Sequence, residues 1–165
     1  MDTTPVIVEA VRTTSGKGKM GGELSGIHAA ELLATVLQEL SARTGISPGD
    51  VDDVIAGCVT QGGEQSGNIA RSAVLAAGFP EHVPGTTIDR QCGSSQQAVH
   101  FAAQGVAAGA YDVAIACGVE LMSRTPMFSQ YGDKDPYGPS VAGRYAPGLI
   151  QQGLSAELLS RDYGF

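Results

Sequence analysis

Residues 86–98 read TTIDRQCGSSQQA, and in this stretch a short strand-like run passes directly into an Ala-rich, helix-like run, with Cys92 at the junction. A thiol at a helix N-terminus meets the positive end of the helix dipole and unpaired backbone N–H groups, and both stabilise the thiolate. Because the thiolate is the nucleophilic form of cysteine, this position favours covalent catalysis. The small residues 93–95 allow a sharp turn, as in the nucleophile elbow of hydrolases.

A second interpretation of Cys92 stays open from the residues alone. Cysteine is often a small buried apolar residue with no chemical role. The strand-to-helix junction and the Gly-Ser-Ser that follows favour the nucleophile, but position by itself does not prove it.

The same alternation of strand and helix extends along the chain. Apolar runs predict strands at 6–11, 54–60, 86–89 and 113–119. Helical spacing predicts helices at 24–44, 68–77 and 94–108, with Gly45 and Gly78 as stops. The alternation predicts an α/β fold with a mainly parallel sheet and helices on both faces. Functional residues are then expected at the carboxyl ends of the strands, where Cys92 falls.

The amino-acid composition of the chain changes after Ser123. Residues 124–148 are rich in Gly, Pro, Tyr and Ser and predict an extended loop region, followed by a helix at about 153–163. We therefore predict an α/β domain over residues 1–122 and the beginning of a second domain over 123–165.

The composition of the chain argues against nucleic-acid and membrane binding. A hydrophobic content of 42% with 16% charged residues is typical of a globular protein. The net charge of -7 and the lack of any Lys/Arg block argue against a nucleic-acid binder. The sequence shows neither a membrane span nor a basic leader, so we expect no membrane association and a cytoplasmic location.

The other titratable residues do not complete an active site. Cys58 and Cys117 lie in apolar strand runs and are expected in the core, and the three cysteines suggest neither disulfides nor a zinc site. His100 is eight residues beyond Cys92, roughly 12 Å along a helix, and points away from the thiol. With His28 and His82 at expected surface positions, no base for Cys92 is evident.

A glycine pattern lies in the loop after the first apolar run. Gly16, Gly18 and Gly21 match G-x-G-x-x-G, but the match begins well past the strand, so a flexible loop is preferred to a nicotinamide-binding site. Residues 91–111 contain no charge, and the helix among them is apolar on nearly every side. Such a helix is expected to be buried all round, which requires additional protein from a partner chain or a second half.

Together these segments resemble the N-terminal half of a thiolase. The segments that carry the resemblance are 6–13 with the Gly-Lys loop, 68–71, the cysteine motif 92–98, 118–123, and 153–157 with 163–164. One departure is Ser95, where the family more often has a second glycine. A ketoacyl synthase shares the fold class, but segment 153–157 favours a thiolase.

The resemblance implies a ping-pong acyl transfer. Cys92 would attack the keto carbonyl of a 3-ketoacyl-CoA, release acetyl-CoA and hold the acyl group until coenzyme A accepts it; the reverse reaction is a Claisen condensation. The Cys92 N–H would contribute to an oxyanion hole. The resemblance implies coenzyme A and acyl-CoA as substrates, lipid metabolism, no tightly bound cofactor and no metal, with residues 123–165 covering coenzyme A.

The family also uses a histidine and a second cysteine from a C-terminal half, and this chain ends at Phe165, before that half. We therefore expect activity to need that half or a partner chain, within a homo-oligomer (dimer or tetramer) or a hetero-complex. The alternative is a catalytically incomplete subunit that only associates with thiolase-like partners.

Overall fold

The computed structural model describes residues 4–165 and divides the chain into two compact units. The first unit runs through Gln130, and the second runs from Tyr131 to Phe165. Within residues 4–165, the helices are all too short or too polar to cross a membrane.

The first unit is built on a parallel sheet of three strands. These are β1 (Asp53–Gly57), β2 (Gly85–Ile88) and β3 (Ala114–Gly118), in the order β2-β1-β3. All three were predicted from the apolar runs. At the carboxyl edge of the sheet, Gly57 pairs with Ile88 on one side and with Gly118 on the other.

Three helices connect or precede these strands, as the spacing predicted. They are α1 (Ala29–Thr44), α2 (Ile69–Ala76) and α3 (Ser94–Ala107). Gly45 ends α1 in the left-handed conformation (φ 68°), which glycine adopts without steric cost. Asn68 caps α2 by accepting the backbone N–H of Arg71 at 3.2 Å.

The two faces of the sheet are covered unequally. Helices α1 and α2 pack over one face and form the larger core. That core consists of Leu33, Leu37, Val51, Val54, Ala56, Ala70, Ala73, Val74, Phe79 and Val83. Helix α3 covers the other face, where the buried apolar cluster consists of Ile55, Ala98 and Ala102. The predicted α/β architecture with helices on both faces is confirmed.

Within residues 4–165, α3 is covered on one side only, and its burial on all sides stays a prediction that depends on additional protein. Val99 and Phe101 are 44% and 40% exposed, because the single sheet of this unit contacts one side of the helix only. A helix that is apolar on nearly every side needs a layer on each side to be fully buried, and residues 4–165 supply only one of the two.

The predicted strand at 6–11 is wrong. These residues have no regular secondary structure, and Val6, Ile7 and Val8 are 78%, 81% and 67% exposed. Both edges of β1 are already occupied by β2 and β3, and within residues 4–165 no strand pairs with the run. An apolar pattern reports β-propensity, but a strand forms only where a neighbour completes the ladder.

In the second unit, the predicted loop at 124–148 contains a helix, α4 (Gly138–Arg144). Asp135 accepts the backbone N–H groups of Tyr137 and Gly138 at 2.9 and 3.1 Å, and a proline is tolerated in the first helical turn. The predicted last helix is confirmed as α5 (Gln152–Tyr163). The domain division at residue 122 stays a prediction.

Candidate active site at the Cys92 turn

Cys92 lies on the turn that joins β2 to α3, at the carboxyl edge of the sheet. Its thiol is free and exposed. The residue immediately before α3 is Gly93, which has no side chain to cap the helix, and no other described side chain takes that role. The thiol therefore stands beside the uncapped, positive end of a helix, as the sequence predicted; its role as nucleophile stays a prediction.

The turn itself has an unusual backbone. Gln91 adopts φ 48°, the left-handed region that residues other than glycine seldom enter. Asp89 accepts the Gln91 N–H at 2.6 Å, and Arg90 accepts the Gly93 N–H at 3.1 Å. Backbone strain of this kind costs on the order of 1–3 kcal/mol and is found where a structure holds a functional group in place.

Ser94 binds the same turn from inside. Its side chain is buried, with 4% of the residue exposed. The hydroxyl donates to the Gln91 carbonyl at 2.6 Å and accepts the Arg90 N–H at 2.9 Å. One hydroxyl thus spans the two residues that precede Cys92.

A pair of glycines brings α3 against the sheet. A Cβ on Gly57 would overlap the backbone at Ser94 and Ser95, and a Cβ on Gly118 would overlap the Ser95 hydroxyl. We call Gly57 and Gly118 the glycine seat. Ser95 stands where the family more often has a glycine. Its side chain fits here because Gly118 has no side chain and leaves that space open.

A buried polar network fixes the segments that follow β1 and β3. The Glu120 carboxylate accepts the N–H groups of Val59 at 2.8 Å and Thr60 at 3.3 Å, and the Gln65 amide at 2.8 Å. Gln65 is fully buried, and its carbonyl accepts the Leu121 N–H at 2.7 Å. Satisfied buried networks rigidify their surroundings, so this one holds the sheet edge beside the glycine seat.

Cys58 is a core residue, as predicted, and Cys117 is partly buried against the core. Cys58 is 1% exposed, and burial raises the pKa of its thiol to about 12, with a smaller contribution from the Glu120 charge. Burial likewise raises the pKa of the Cys117 thiol to about 12. Both thiols stay protonated and unreactive at neutral pH.

Two of the three histidines have partners elsewhere, and His100 is exposed on α3. His28 Nδ1 accepts the Ala30 N–H at 3.1 Å and so caps α1, and its Nε2 lies 3.9 Å from Glu64. His82 Nε2 lies 3.0 Å from the Gly49 carbonyl oxygen. Among the described residues, no hydrogen bond or ion pair joins Cys92 to His28, His82 or His100.

The glycine-rich loop lies apart from any helix start. With α1 and residues 118–123 it lines a groove of about 470 Å³, and α1 begins only at Ala29, well beyond Gly21. A dinucleotide motif needs its last glycine at a helix N-terminus, so the geometry favours the loop interpretation. Within residues 4–165, no three His, Cys, Asp or Glu side chains form a cluster that would hold a metal.

Comparison with known proteins identifies the family. A family model described as "Thiolase, N-terminal domain" matches residues 5–154. This chain belongs to the thiolase family. The resemblance based on the cysteine motif and its flanking segments is therefore confirmed.

Individual thiolases agree with this assignment. The steroid 3-ketoacyl-CoA thiolase FadA6 of Mycobacterium tuberculosis is 47% identical over 98% of this chain, which matches 41% of that protein. A 3-ketoacyl-CoA thiolase of Chromohalobacter salexigens is 42% identical over 96% of the chain and 40% of its own length. The crystal structure of the Bacillus anthracis acetyl-CoA acetyltransferase superposes with a TM-score of 0.70 at 38% identity, covering 90% of this chain and 39% of that one.

The chain thus spans about 40% of the length of these thiolases. It corresponds to their N-terminal part, as the sequence predicted.

Proposed function

We propose that this thiolase chain carries the acyl group of an acyl-CoA C-acyltransferase on Cys92. The observation that supports the proposal best is an exposed thiol on a strained turn at the uncapped start of α3, in a member of the thiolase family. The substrates proposed are acyl-CoA, 3-ketoacyl-CoA and coenzyme A, which agrees with the names of the related proteins.

In the proposed reaction, the Cys92 thiolate attacks the C3 keto carbonyl of a 3-ketoacyl-CoA. The C2–C3 bond breaks, its electron pair stays on C2, and protonation of C2 releases acetyl-CoA. The acyl group remains as a thioester on Cys92 until the thiolate of free coenzyme A displaces it. The backbone N–H of Cys92 would contribute to stabilising the oxyanion that forms in each step.

This chemistry needs a base for the thiol and an acid for C2. Within residues 4–165, the histidines are engaged elsewhere or lie on an exposed face, and the other two thiols are held protonated. We therefore place the histidine and the second cysteine of the family on a further half of the protein or on a partner chain.

The remaining assignments belong to the same proposal. Residues 123–165 would belong to the domain that covers coenzyme A, and the half that supplies the base would cover the exposed side of α3 at Val99 and Phe101. The assembly would be a homo-oligomer or a hetero-complex in the cytoplasm, working in lipid metabolism without a bound cofactor.

A second candidate is a non-catalytic subunit that only associates with thiolase-like partners. The observation that favours it is the exposed apolar side of α3 together with the missing base. Such a subunit would bind its partner through this helix and leave Cys92 unused.

Isotope exchange separates the two candidates. A ping-pong acyltransferase exchanges label between acetyl-CoA and free coenzyme A without a second acyl substrate. The chain is mixed with the C-terminal half of the Mycobacterium tuberculosis relative, and Cys92→Ala and Cys58→Ala are the test and matched control. We expect exchange that Cys92→Ala abolishes and Cys58→Ala retains. Association without any exchange would favour the non-catalytic subunit.

A further inference from the structure

We infer that Ser94 is a positioning residue for Cys92, and that its buried hydroxyl holds the turn on which the reactive thiol stands. This inference rests on the proposed function. It concerns a side chain that would not touch the substrate and would act only through the backbone of Arg90 and Gln91.

The Ser94 hydroxyl makes two hydrogen bonds to the backbone of the turn, and we call this pair of bonds the clasp. The hydroxyl uses its donor on the Gln91 carbonyl at 2.6 Å and an acceptor position on the Arg90 N–H at 2.9 Å. Ser94 is 4% exposed, so its hydroxyl is shielded from water, although Arg90 and Gln91 themselves are exposed. Both hydrogen bonds are therefore partly buried, and removing the hydroxyl takes away one partner each from the Arg90 N–H and the Gln91 carbonyl.

The clasp is needed because Gln91 is strained. A left-handed residue persists only where its surroundings determine it from several directions. At φ 48°, the Gln91 N–H is fixed by Asp89, and its carbonyl is fixed by Ser94. Without the hydroxyl, the carbonyl keeps only the Ser94 N–H at 3.0 Å, and the turn is free to relax toward an extended backbone. That relaxation would rotate Cys92 away from the start of α3.

The neighbouring serine provides a matched control. Ser95 is exposed, its hydroxyl lies over Gly118, and no hydrogen bond from it is found among the described residues. Ser95→Ala removes one serine hydroxyl from the same motif, as Ser94→Ala does, but it leaves both hydrogen bonds of the Ser94 hydroxyl in place.

The test measures single-turnover acetylation of Cys92 by acetyl-CoA in the full chain, together with the C-terminal half used above. For Ser94→Ala we expect the maximal rate constant to fall by about tenfold to a hundredfold, as for a reacting group displaced by an ångström or less. The half-saturating acetyl-CoA concentration should stay unchanged, because substrate binding is not altered. Ser94→Thr, which keeps the hydroxyl, should recover most of the rate, and Ser95→Ala should stay within about twofold of the parent.

A maximal rate equal to the parent in folded Ser94→Ala, or an equal loss in Ser95→Ala, would overturn the inference. Circular dichroism and a melting curve establish that each variant is folded. If Ser94→Ala does not fold, Ser94→Cys takes its place, since it keeps the size but weakens both hydrogen bonds.

Alkylation by iodoacetamide separates a failure of this inference from a failure of the proposed function, since it needs an accessible thiolate but no acyl transfer. If the parent forms no acetyl adduct, the proposed function fails and the clasp is judged on alkylation of Cys92 alone. The clasp predicts slower alkylation in Ser94→Ala than in Ser95→Ala. Equal or faster alkylation contradicts it.

Discussion

Cys58 and Cys92 follow neighbouring strands of one sheet, yet their thiols are in opposite environments. Cys58 comes directly after β1, and its backbone N–H donates to the Ile88 carbonyl at the end of β2. Its side chain is packed among Ala29, Ala30, Ile69 and Leu121, and its thiol pKa is raised to about 12. Cys92 follows β2 and is exposed on the turn before α3.

The difference shows that the carboxyl edge of a parallel sheet does not by itself make a residue reactive. The segments that cover the edge decide it: α1, α2 and the segment after β3 enclose Cys58, whereas the turn around Gln91 lifts Cys92 out of the core. Cys117, within β3, is partly buried, and burial raises the pKa of its thiol to about 12 as well.

The largest expected difference between Cys92 and the other two cysteines is in the rate of alkylation of their thiols. We expect iodoacetamide to modify Cys92 at least about 10³-fold faster than Cys58 or Cys117, because buried thiols react only when the chain opens. Peptide mapping by mass spectrometry after timed quenching measures all three rates in one sample. Comparable rates would mean that Cys58 and Cys117 are not protected by the fold.

The glycine seat gives the next largest effect. Gly57→Ala places a methyl group against the backbone at Ser94 and Ser95, which cannot rotate away, and should lower the free energy of unfolding by about 2–3 kcal/mol. Urea denaturation measures the loss. The matched control is Gly26→Ala, where nothing lies within 4 Å of the added Cβ. A loss in the control as large as that in Gly57→Ala would argue against close packing of α3 on the sheet.

The last effect concerns alkaline pH. Burial raises the pKa of the Cys58 thiol from an ordinary value of 9.0 to about 12, so the folded chain keeps this proton where the unfolded chain loses it. Its contribution to stability is complete below pH 9 and is lost as the pH rises toward 12, at about 1.4 kcal/mol per pH unit. Cys58→Ala removes that titration. Its stability at neutral pH should fall because of the cavity, and its decline above pH 9 should be shallower by this amount; parallel declines would contradict the assigned burial.

Much of the fold could be predicted because it rests on local patterns. The leucines of α1 recur at helical spacing before Gly45, and Asn68 and Gly78 bracket α2. These signals are local in the chain. The predicted strand at 6–11 was wrong for the opposite reason. A strand forms only beside a neighbouring strand, and the local pattern does not reveal whether one is present.

The site could be predicted only as far as Cys92. The left-handed Gln91 has no signal in its residue type, and Ser94 resembles any helix-starting serine until its partners are known. Gly57 and Gly118 are far apart in the sequence, and their importance arises only where β1 and β3 pair beneath α3. Gln65 was missed as well, because a buried glutamine among loop residues resembles a surface one.

The most direct test of the central claim, that Cys92 is the acyl carrier, is the site of the acetyl group. The chain is incubated with acetyl-CoA, alone and with the C-terminal thiolase half, and the products are digested and mapped by mass spectrometry. The account predicts an acetyl thioester on Cys92 in the presence of that half, absent from Cys58 and Cys117 and removed by free coenzyme A. No adduct in either condition, or an adduct on another cysteine, would contradict it.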